Sequence, residues 1–394
     1  MTNWQTKTIQ EITTLIKDGT HGTHKDVKNG IPLLSAKDIS AGKVNVAPDS
    51  RVISEADFNA IHARYSLKDG DILLTIVGSL GRVAIVTSYA NNYTFQRSVA
   101  ILRFNNEVDT SYTYYYLTSS IFQKELLKRE SKGAQGGVYL GDISKIKIHI
   151  PEKPEQERIV GVLEVWDEYI EKLEQKIALK EQLKKGLMQQ LLTGKRRLLG
   201  FNGEWHEVKL NDLVSITTGR KDVNQGNPDG EYPFFTCSRR HTYSDEYSFD
   251  DEAILIAGNG DVGHCKYYKG KFEAYQRTYV LTGFDKVSAQ YIFPFLQHYF
   301  QNFSDAQKQM GAMPFIKVGM LKDFNVVLPI DKDEQESIAG LVADANDEIS
   351  FLTDKMKAIK LQKKYLLKNL ITGTIRTPED LQPLDSSRLE RSAL

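Results

Sequence analysis

At 394 residues and 41% hydrophobic content, the chain can bury two ordinary domain cores. Its 51 basic and 51 acidic residues cancel, so a polyanionic partner would have to be met by a local patch rather than by net charge. Cys237 and Cys265 make no disulfide framework, no apolar run approaches the ~18 residues of a membrane span, and Met1 to Gln5 opens no basic-then-apolar leader. The expectation is a cytoplasmic protein with no membrane partner.

Taken along the chain, residues 1–154 read as β-rich. A polar stretch, Asp18-Gly19-Thr20-His21-Gly22-Thr23-His24-Lys25, precedes two short β-branched runs, Asp71 to Val77 and Arg82 to Val86. Gly78-Ser79-Leu80-Gly81 between them is a hairpin signal. Tyr112 to Lys128 is aromatic-rich with helical spacing, which suits core better than a stacking platform. Over 155–194 a helix runs from Glu155-Gln156-Glu157 to Thr193-Gly194, where glycine supplies a left-handed end; unbroken, it is about 58 Å long. Ile170, Leu173, Ile177, Lys180, Lys184, Leu187 and Leu191 alternate spacings of three and four, a heptad seam with two lysines. Leu179 and Leu183 beside it imply a wider apolar stripe.

Residues 195–333 read as a second β-rich part. Ala253 to Ala257 is followed by Gly258-Asn259-Gly260-Asp261-Val262-Gly263, which fits G-x-G-x-x-G. The dinucleotide fingerprint needs a helix after its glycines, whereas His264 to Tyr268 reads as a strand, so the hexapeptide is a tight turn. Ala289 to Phe303 is again aromatic and helical in spacing. Over 334–376 the helix recurs, with Ile349, Leu352, Met356, Ile359, Lys363, Leu366 and Leu370 on its seam. The polar, charged stretch 377–394 reads as a flexible tail.

The chain is therefore written twice. Gln156 lies 179 residues before Gln335, and that register holds without a gap until Leu191-Leu192-Thr193-Gly194 meets Leu370-Ile371-Thr372-Gly373. A period this long is no solenoid repeat. Upstream, Trp4, Ile9 and Ile12 recur as Trp205, Leu210 and Leu213, and Gln96-Arg97 as Gln276-Arg277. Gly133-Ala134, Gly141 and Pro151 recur as Gly311-Ala312, Gly319 and Pro329. The expected fold class is α+β: two β-rich globular domains in pseudo-two-fold duplication, separated by two long helices. If the termini of the second globular part lie close together, as domain termini often do, the helices pair as an antiparallel coiled coil.

Chemistry-bearing motifs are missing: no G-x-x-x-x-G-K-[ST] loop, no Cys-x-x-Cys, and no Asn/Asp-Pro-Pro-aromatic run of the amino-methyltransferase kind. His21 and His24 are three apart without further metal ligands nearby, and a polar recognition loop is the better role. Such a chain binds rather than reacts.

Gly141, Ile143, Ile146, Ile148 and Ile150, leading through Pro151 to Glu155-Gln156-Glu157-Arg158-Ile159 and a long helix ending at Gly194, resemble the conserved-region signature of Type I restriction-modification specificity subunits. Val318-Gly319-Met320-Leu321, leading through Pro329 to Glu334-Gln335-Glu336-Ser337-Ile338 and on to Gly373, resembles it equally. The likeness runs from Trp4 to Arg376. It implies a subunit without catalysis of its own, whose two target-recognition domains each read half of a bipartite site in double-stranded DNA. The helical pair would set the half-site spacing and dock methylation subunits, two of them, with restriction subunits completing the assembly. S-adenosylmethionine, ATP and Mg would then belong to those partners. The rival is a scaffold presenting two related domains to ligands other than DNA.

Base reading in the major groove favours Arg on guanine and Asn or Gln on adenine, so polar turn residues are the DNA candidates. These are Thr20, His21, Thr23, His24, Lys25, Ser79 and Arg82 in the first domain, and Arg220, Lys221, Arg239, Arg240, His241 and Asn259 in the second. For each alone, a solvated surface role is the alternative. Gln96-Arg97 and Gln276-Arg277 occur in both copies, which suits a phosphate contact or a structural hydrogen bond better than base reading. Lys132 and Lys308, beside the shared Gly-Ala dipeptides, are phosphate candidates by the same logic.

Overall fold

The computed structural model describes residues 4–63, 65–87, 93–131, 136–300 and 315–381. Two compact units emerge: Met1–Lys172 with Met356–Leu394, and Leu173–Lys355. In the first, strands Thr13–Asp18, Val99–Phe104, Ile72–Thr75 and Val83–Ile85 lie in that order in an antiparallel sheet. Ile72, Leu73 and Leu74 are all fully buried. Ile72 and Leu74 face the helical aromatics Tyr112, Tyr116 and Phe122, while Leu73 faces Leu34, Phe95 and Ile101. A sheet covered on both faces explains why the sequence shows a continuous apolar run there and no alternation.

The second unit repeats this order with Ser215–Thr218, Thr278–Thr282, Phe249–Ala257 and Cys265–Ala274, then adds Tyr232–Phe235 and Thr242–Ser244. Gly258 to Gly263 turns the chain between the antiparallel strands Phe249–Ala257 and Cys265–Ala274, so it opens no helix. The aromatic stretches form helices Thr110–Thr118, Ser120–Leu127 and Ala289–Phe295, the last running on as a π-helical turn, Leu296–Phe300. Tyr112, Tyr116, Tyr291 and Phe300 are fully buried, which makes them core.

Each globular part closes on itself. Gln5–Thr8 pairs with Lys147–Ile150, and Trp205–Lys209 with Asn325–Pro329, both antiparallel. The chain therefore enters and leaves each domain side by side, and the next element is in both cases a long helix, Lys153–Leu191 or Lys332–Ile371.

Within each unit one helix start packs beside the other helix's end. In the first unit Ile159 and Leu163 share a core with Leu370 and Ile371; in the second, Ile338 and Val342 share one with Met188, Leu191 and Leu192. Leu173, Leu191, Leu352 and Leu370 are buried, and Ile170, Ile177, Leu187, Ile349, Met356, Ile359 and Leu366 are half-buried. The seam lysines each find a polar partner on the opposite helix. Lys180 donates to Glu348 at 2.7 Å and Lys184 to Asn346 at 3.0 Å, while Lys363 donates to Asp167. Leu179 and Leu183 do not widen the packed stripe; they are 60% and 66% exposed. At about 100° per residue, their side chains leave the helix well away from the neighbouring seam positions Ile177 and Lys184.

The duplicated triplets hold the ends in place. Arg197 grips the fully buried Glu334 carboxylate through two hydrogen bonds of 2.6 and 2.7 Å, and Arg376 grips Glu155 likewise. The 179-residue register thus continues past the glycines to Arg197 and Arg376. Each guanidinium also lies over an indole, Trp205 at 5.6 Å and Trp4 at 5.5 Å, and each indole rests on the left-handed glycine, Gly194 or Gly373, that ends a helix. The middle residue of each triplet is a buried clamp. The Gln156 amide donates to Pro151 O and accepts from Asp109 N; the Gln335 amide donates to Pro329 O and accepts from Ser288 N.

Arg376→Ala leaves the buried Glu155 carboxylate short of its cation, a loss expected at about 2–3 kcal/mol. Hydrogen exchange should speed up in the first unit, around Trp4 and Glu155, with the second unit unchanged. Equal loosening of both units would contradict a clasp that acts unit by unit.

Candidate nucleic-acid interface

In each unit, polar turns gather where apolar strands end. Gly19 and Gly219 start the gathering, because a Cβ there would lie 2.1 Å from Phe95 O or 1.8 Å from Ala274 O. Only glycine lets the chain pass so close over the neighbouring strand. The following residues are then tied down by main-chain bonds: Arg97 N donates to Thr20 O and Gln276 N to Lys221 O, each at 3.0 Å.

Those bonds revise the sequence match. Gln96 and Tyr275 hold the same bridge position, so Arg97 stands where Gln276 stands and Ser98 where Arg277 stands. The two Gln-Arg dipeptides are one residue out of register, and their likeness is not an equivalence. A loop whose length differs by one residue between copies produces such a coincidence in a short match.

In the first unit, Arg97 is exposed and makes no side-chain hydrogen bond or ion pair among the described residues. It lines a cavity of ≈340 Å³ with Asp18, His21, Ser131 and Tyr139. His21 is paired with Asp18 at 2.5 Å. Thr20 is half-buried, its hydroxyl meeting His24 Nε2 at 2.9 Å, and His24 Nδ1 meets Asp57 at 3.0 Å. With both ring nitrogens engaged, His24 braces the loop. Hydrogen bonds from His24 and then Ser54 hold the Asp57 carboxyl below the usual range. Thr23 and Lys25 stay exposed on the braced loop. Ser79 is exposed at the hairpin tip, whereas the Arg82 guanidinium donates to Ile39 O at 3.1 Å and Ala36 O at 3.4 Å, pinning the neighbouring loop.

In the second unit Lys221, Arg239, Asn259, Gln276 and Arg277 converge. Gly258 N donates to Arg277 O at 2.9 Å, and Asp261 N to Cys237 O at 3.1 Å, which joins three turns. Arg239 is 82% exposed and 3.6 Å from Asp261. The Gln276 amide reaches Asp222 at 3.2 Å. Lys221 is committed elsewhere: its ammonium meets Ser244 and Glu246 at 3.1 Å and the fully buried Glu273 at 3.7 Å. Arg220, Arg240 and His241 are exposed, and burial and then Lys266 hold the His241 imidazole below its ordinary pKa. Lys132 and Lys308 lie outside the described residues, as do the Gly-Ala dipeptides beside them. Asp18, Asp222, Asp261 and Tyr139 were not singled out from the sequence. Their only signal was adjacency to a glycine turn or to a cationic candidate.

Compared with known proteins, the chain matches the family model for the Type I restriction modification DNA specificity domain over residues 1–185 and again over 202–361. The chain belongs to this family, that of type I restriction-modification specificity subunits. It is similar to the EcoDI specificity subunit of Escherichia coli, 32% identical over 165 residues, a match spanning 42% of this chain and only 35% of that relative. Against the putative MjaX specificity subunit of Methanocaldococcus jannaschii it is 24% identical over 407 residues, spanning 95% of this chain and 94% of the relative. The fold is shared with a Type-I S subunit from M. genitalium, at TM-score 0.60 and 17% identity over 94% of this chain and 96% of that one. The HsdS subunit from Thermoanaerobacter tengcongensis gives 0.52 and 16%, over 94% and 97%.

Bracing and presentation separate on substitution. His24→Ala should lower the thermal midpoint by roughly 2–4 °C, since it unties Thr20 and Asp57, whereas Lys25→Ala should leave the midpoint unmoved. A drop with Lys25→Ala matching that of His24→Ala would show that the loop is not held through the imidazole.

Proposed function

We propose that the chain is the sequence-reading subunit of a type I restriction-modification assembly, each unit reading one half of a split site in double-stranded DNA. The observation that carries this reading is a repeated scaffold with unlike polar turns: the same main-chain bonds position Arg97 in one unit and Gln276 in the other. Two readers of different half-sites need that combination. The corrected register favours base reading over a phosphate contact for Arg97 and Gln276, because equivalent positions that differ are where two targets would be told apart. Arg97 suits guanine O6 and N7, and Gln276 suits adenine N6 and N7.

The helical pair then acts as the spacer. Half-sites read from one side of a duplex recur about 34 Å apart per helical turn, and helices of 39 and 40 residues are each roughly 60 Å long. Methylation subunits, two in number, dock on the helices, where Leu179, Leu183, Phe351, Leu361 and Tyr365 leave apolar surface exposed; restriction subunits join that complex. S-adenosylmethionine, ATP and Mg belong to these partners, and the chain itself contributes no catalysis. The setting is the cytoplasm.

Co-expression with methylation subunits from the same genome, followed by sequencing of methylated positions, should return two short half-sites with a fixed gap; a continuous motif would remove the two-reader model. Arg97→Ala should relax one base pair by about 1–3 kcal/mol and leave the salt slope intact. Uniform weakening with a slope lower by about one would return Arg97 to the phosphate class. Inserting four residues after Leu179, about one helical turn, should change the tolerated gap and neither half-site; an altered half-site with an unaltered gap would sink the spacer role.

A further inference from the structure

The second unit holds a cavity of ≈390 Å³ that the recognition turns do not use. One helix lines it with Lys184, Lys185 and Met188, the other with Val342 and Asn346; the strand turn supplies Gly263, His264 and Cys265, and the π-helical turn supplies Gln297 and His298. We propose that this cavity is an anion site that takes a phosphate group.

The cavity gathers positive charge. Among the described residues no carboxylate lines the cavity. Lys184 is positioned by Asn346, a neutral oxygen 3.0 Å from its ammonium, so its position is fixed while no carboxylate among the described residues cancels its charge. Lys185 is exposed and makes no hydrogen bond or ion pair among the described residues. In the first unit the residue 179 positions before Asn346 is Asp167, and it neutralises Lys363, the counterpart of Lys184. Asp167 also accepts from the Tyr115 hydroxyl at 2.7 Å. The register that carries an ion pair in one unit thus sets a lysine against a neutral amide in the other.

The remaining groups are hydrogen-bond donors of matching reach. His298 stands on the π-helical turn Leu296–Phe300; such turns push a residue out of the regular spiral and often mark functional positions. Burial and then Lys185 hold its imidazole below the ordinary pKa, and His264 is lowered by burial, then Lys266 and Arg239, against the opposing pull of Asp261. Neutral imidazoles near two ammonium groups can each donate an N–H to a phosphate oxygen, and an arriving anion would favour their protonation. One cation held in place, a second free to reach in, two imidazoles and the Gln297 amide make a donor set suited to several oxygens on one centre.

This site does not depend on base reading, and its ligand has two sources: a backbone phosphate of the bound duplex, or a free or nucleotide phosphate. The complex with methylation subunits, with wild-type chain or with Lys185→Glu/His298→Gln, is titrated with inorganic phosphate at constant ionic strength, and duplex affinity is measured across salt. Lys185→Gln alone serves as the milder variant, since it alters only an exposed side chain. Phosphate should raise the thermal midpoint of the wild type by a few degrees, and the substitutions should abolish at least half of that rise. If the slope of log affinity against log salt also falls by about one, the duplex supplies the phosphate; an unchanged slope assigns the site to a free or nucleotide phosphate. No phosphate effect on the wild type with an unchanged slope, or equal stabilisation of wild type and variants, overturns the proposal whatever the outcome for half-site reading.

Discussion

A buried carboxylate cannot stay charged without a cation, and two of them organise this molecule. Glu155 and Glu334 sit at helix starts with 5% and 0% of their surface exposed, and their cations, Arg376 and Arg197, come from the chain just beyond a helix end. Satisfying either glutamate therefore requires the start of one helix to lie beside the end of the other. Antiparallel pairing within each unit follows from that single requirement more directly than from the seam. The indoles seal the arrangement, because a guanidinium shared between a carboxylate and a ring face is held on two sides. The copies differ at the indoles: Trp4 donates its N–H to Glu155 at 3.0 Å, whereas the buried Trp205 N–H finds no partner among the described residues.

The seam between the helices is a weaker glue than its heptad spacing implies. Most of its apolar positions are only half-buried, and lysines interrupt it at Lys180, Lys184 and Lys363. Those lysines reach Glu348, Asn346 and Asp167 across the pair, which specifies register at the expense of burial. Partly exposed pairs of this kind contribute little net stability. What they do is forbid slippage, since a shift of one helix by a turn would set ammonium groups against apolar side chains.

How much of this was legible in the sequence depended on whether the constraint was local or tertiary. The duplication and the two long helices followed from spacing, because the Glu-Gln-Glu and Thr-Gly marks stand at a constant separation; the β-rich parts followed from β-branched runs, and antiparallel pairing only on the condition that a domain's termini meet. The clamp role of Gln156 and Gln335 was not legible, because their partners, Pro151 O and Pro329 O but also Asp109 N and Ser288 N, are defined only once the sheet exists. The Gln-Arg dipeptides misled for the opposite reason. Identity over two residues cannot fix register across loops of unequal length, and only the main-chain bonds to Thr20 and Lys221 did so. Several polar candidates proved to be braces because a polar side chain in a turn serves the turn as readily as a ligand: His24, Arg82 and Lys221 all spend their donors inside the fold.

That division of labour lets one scaffold carry two unlike sets of polar turns. The turns are held by bonds between main-chain atoms, Arg97 N to Thr20 O and Gln276 N to Lys221 O, and by glycines whose backbones touch a neighbouring strand. Neither restraint involves the side chains that project from the turns, so those side chains can differ without disturbing the sheet beneath. The clasp residues have no such freedom, because Arg197 and Arg376 each neutralise a charge the core has already buried. Net charge follows the same partition. A neutral chain needs no basic surface overall if exposed cations such as Arg97 and Arg277 stand at the ends of rigid strands, where position rather than long-range attraction decides what they meet.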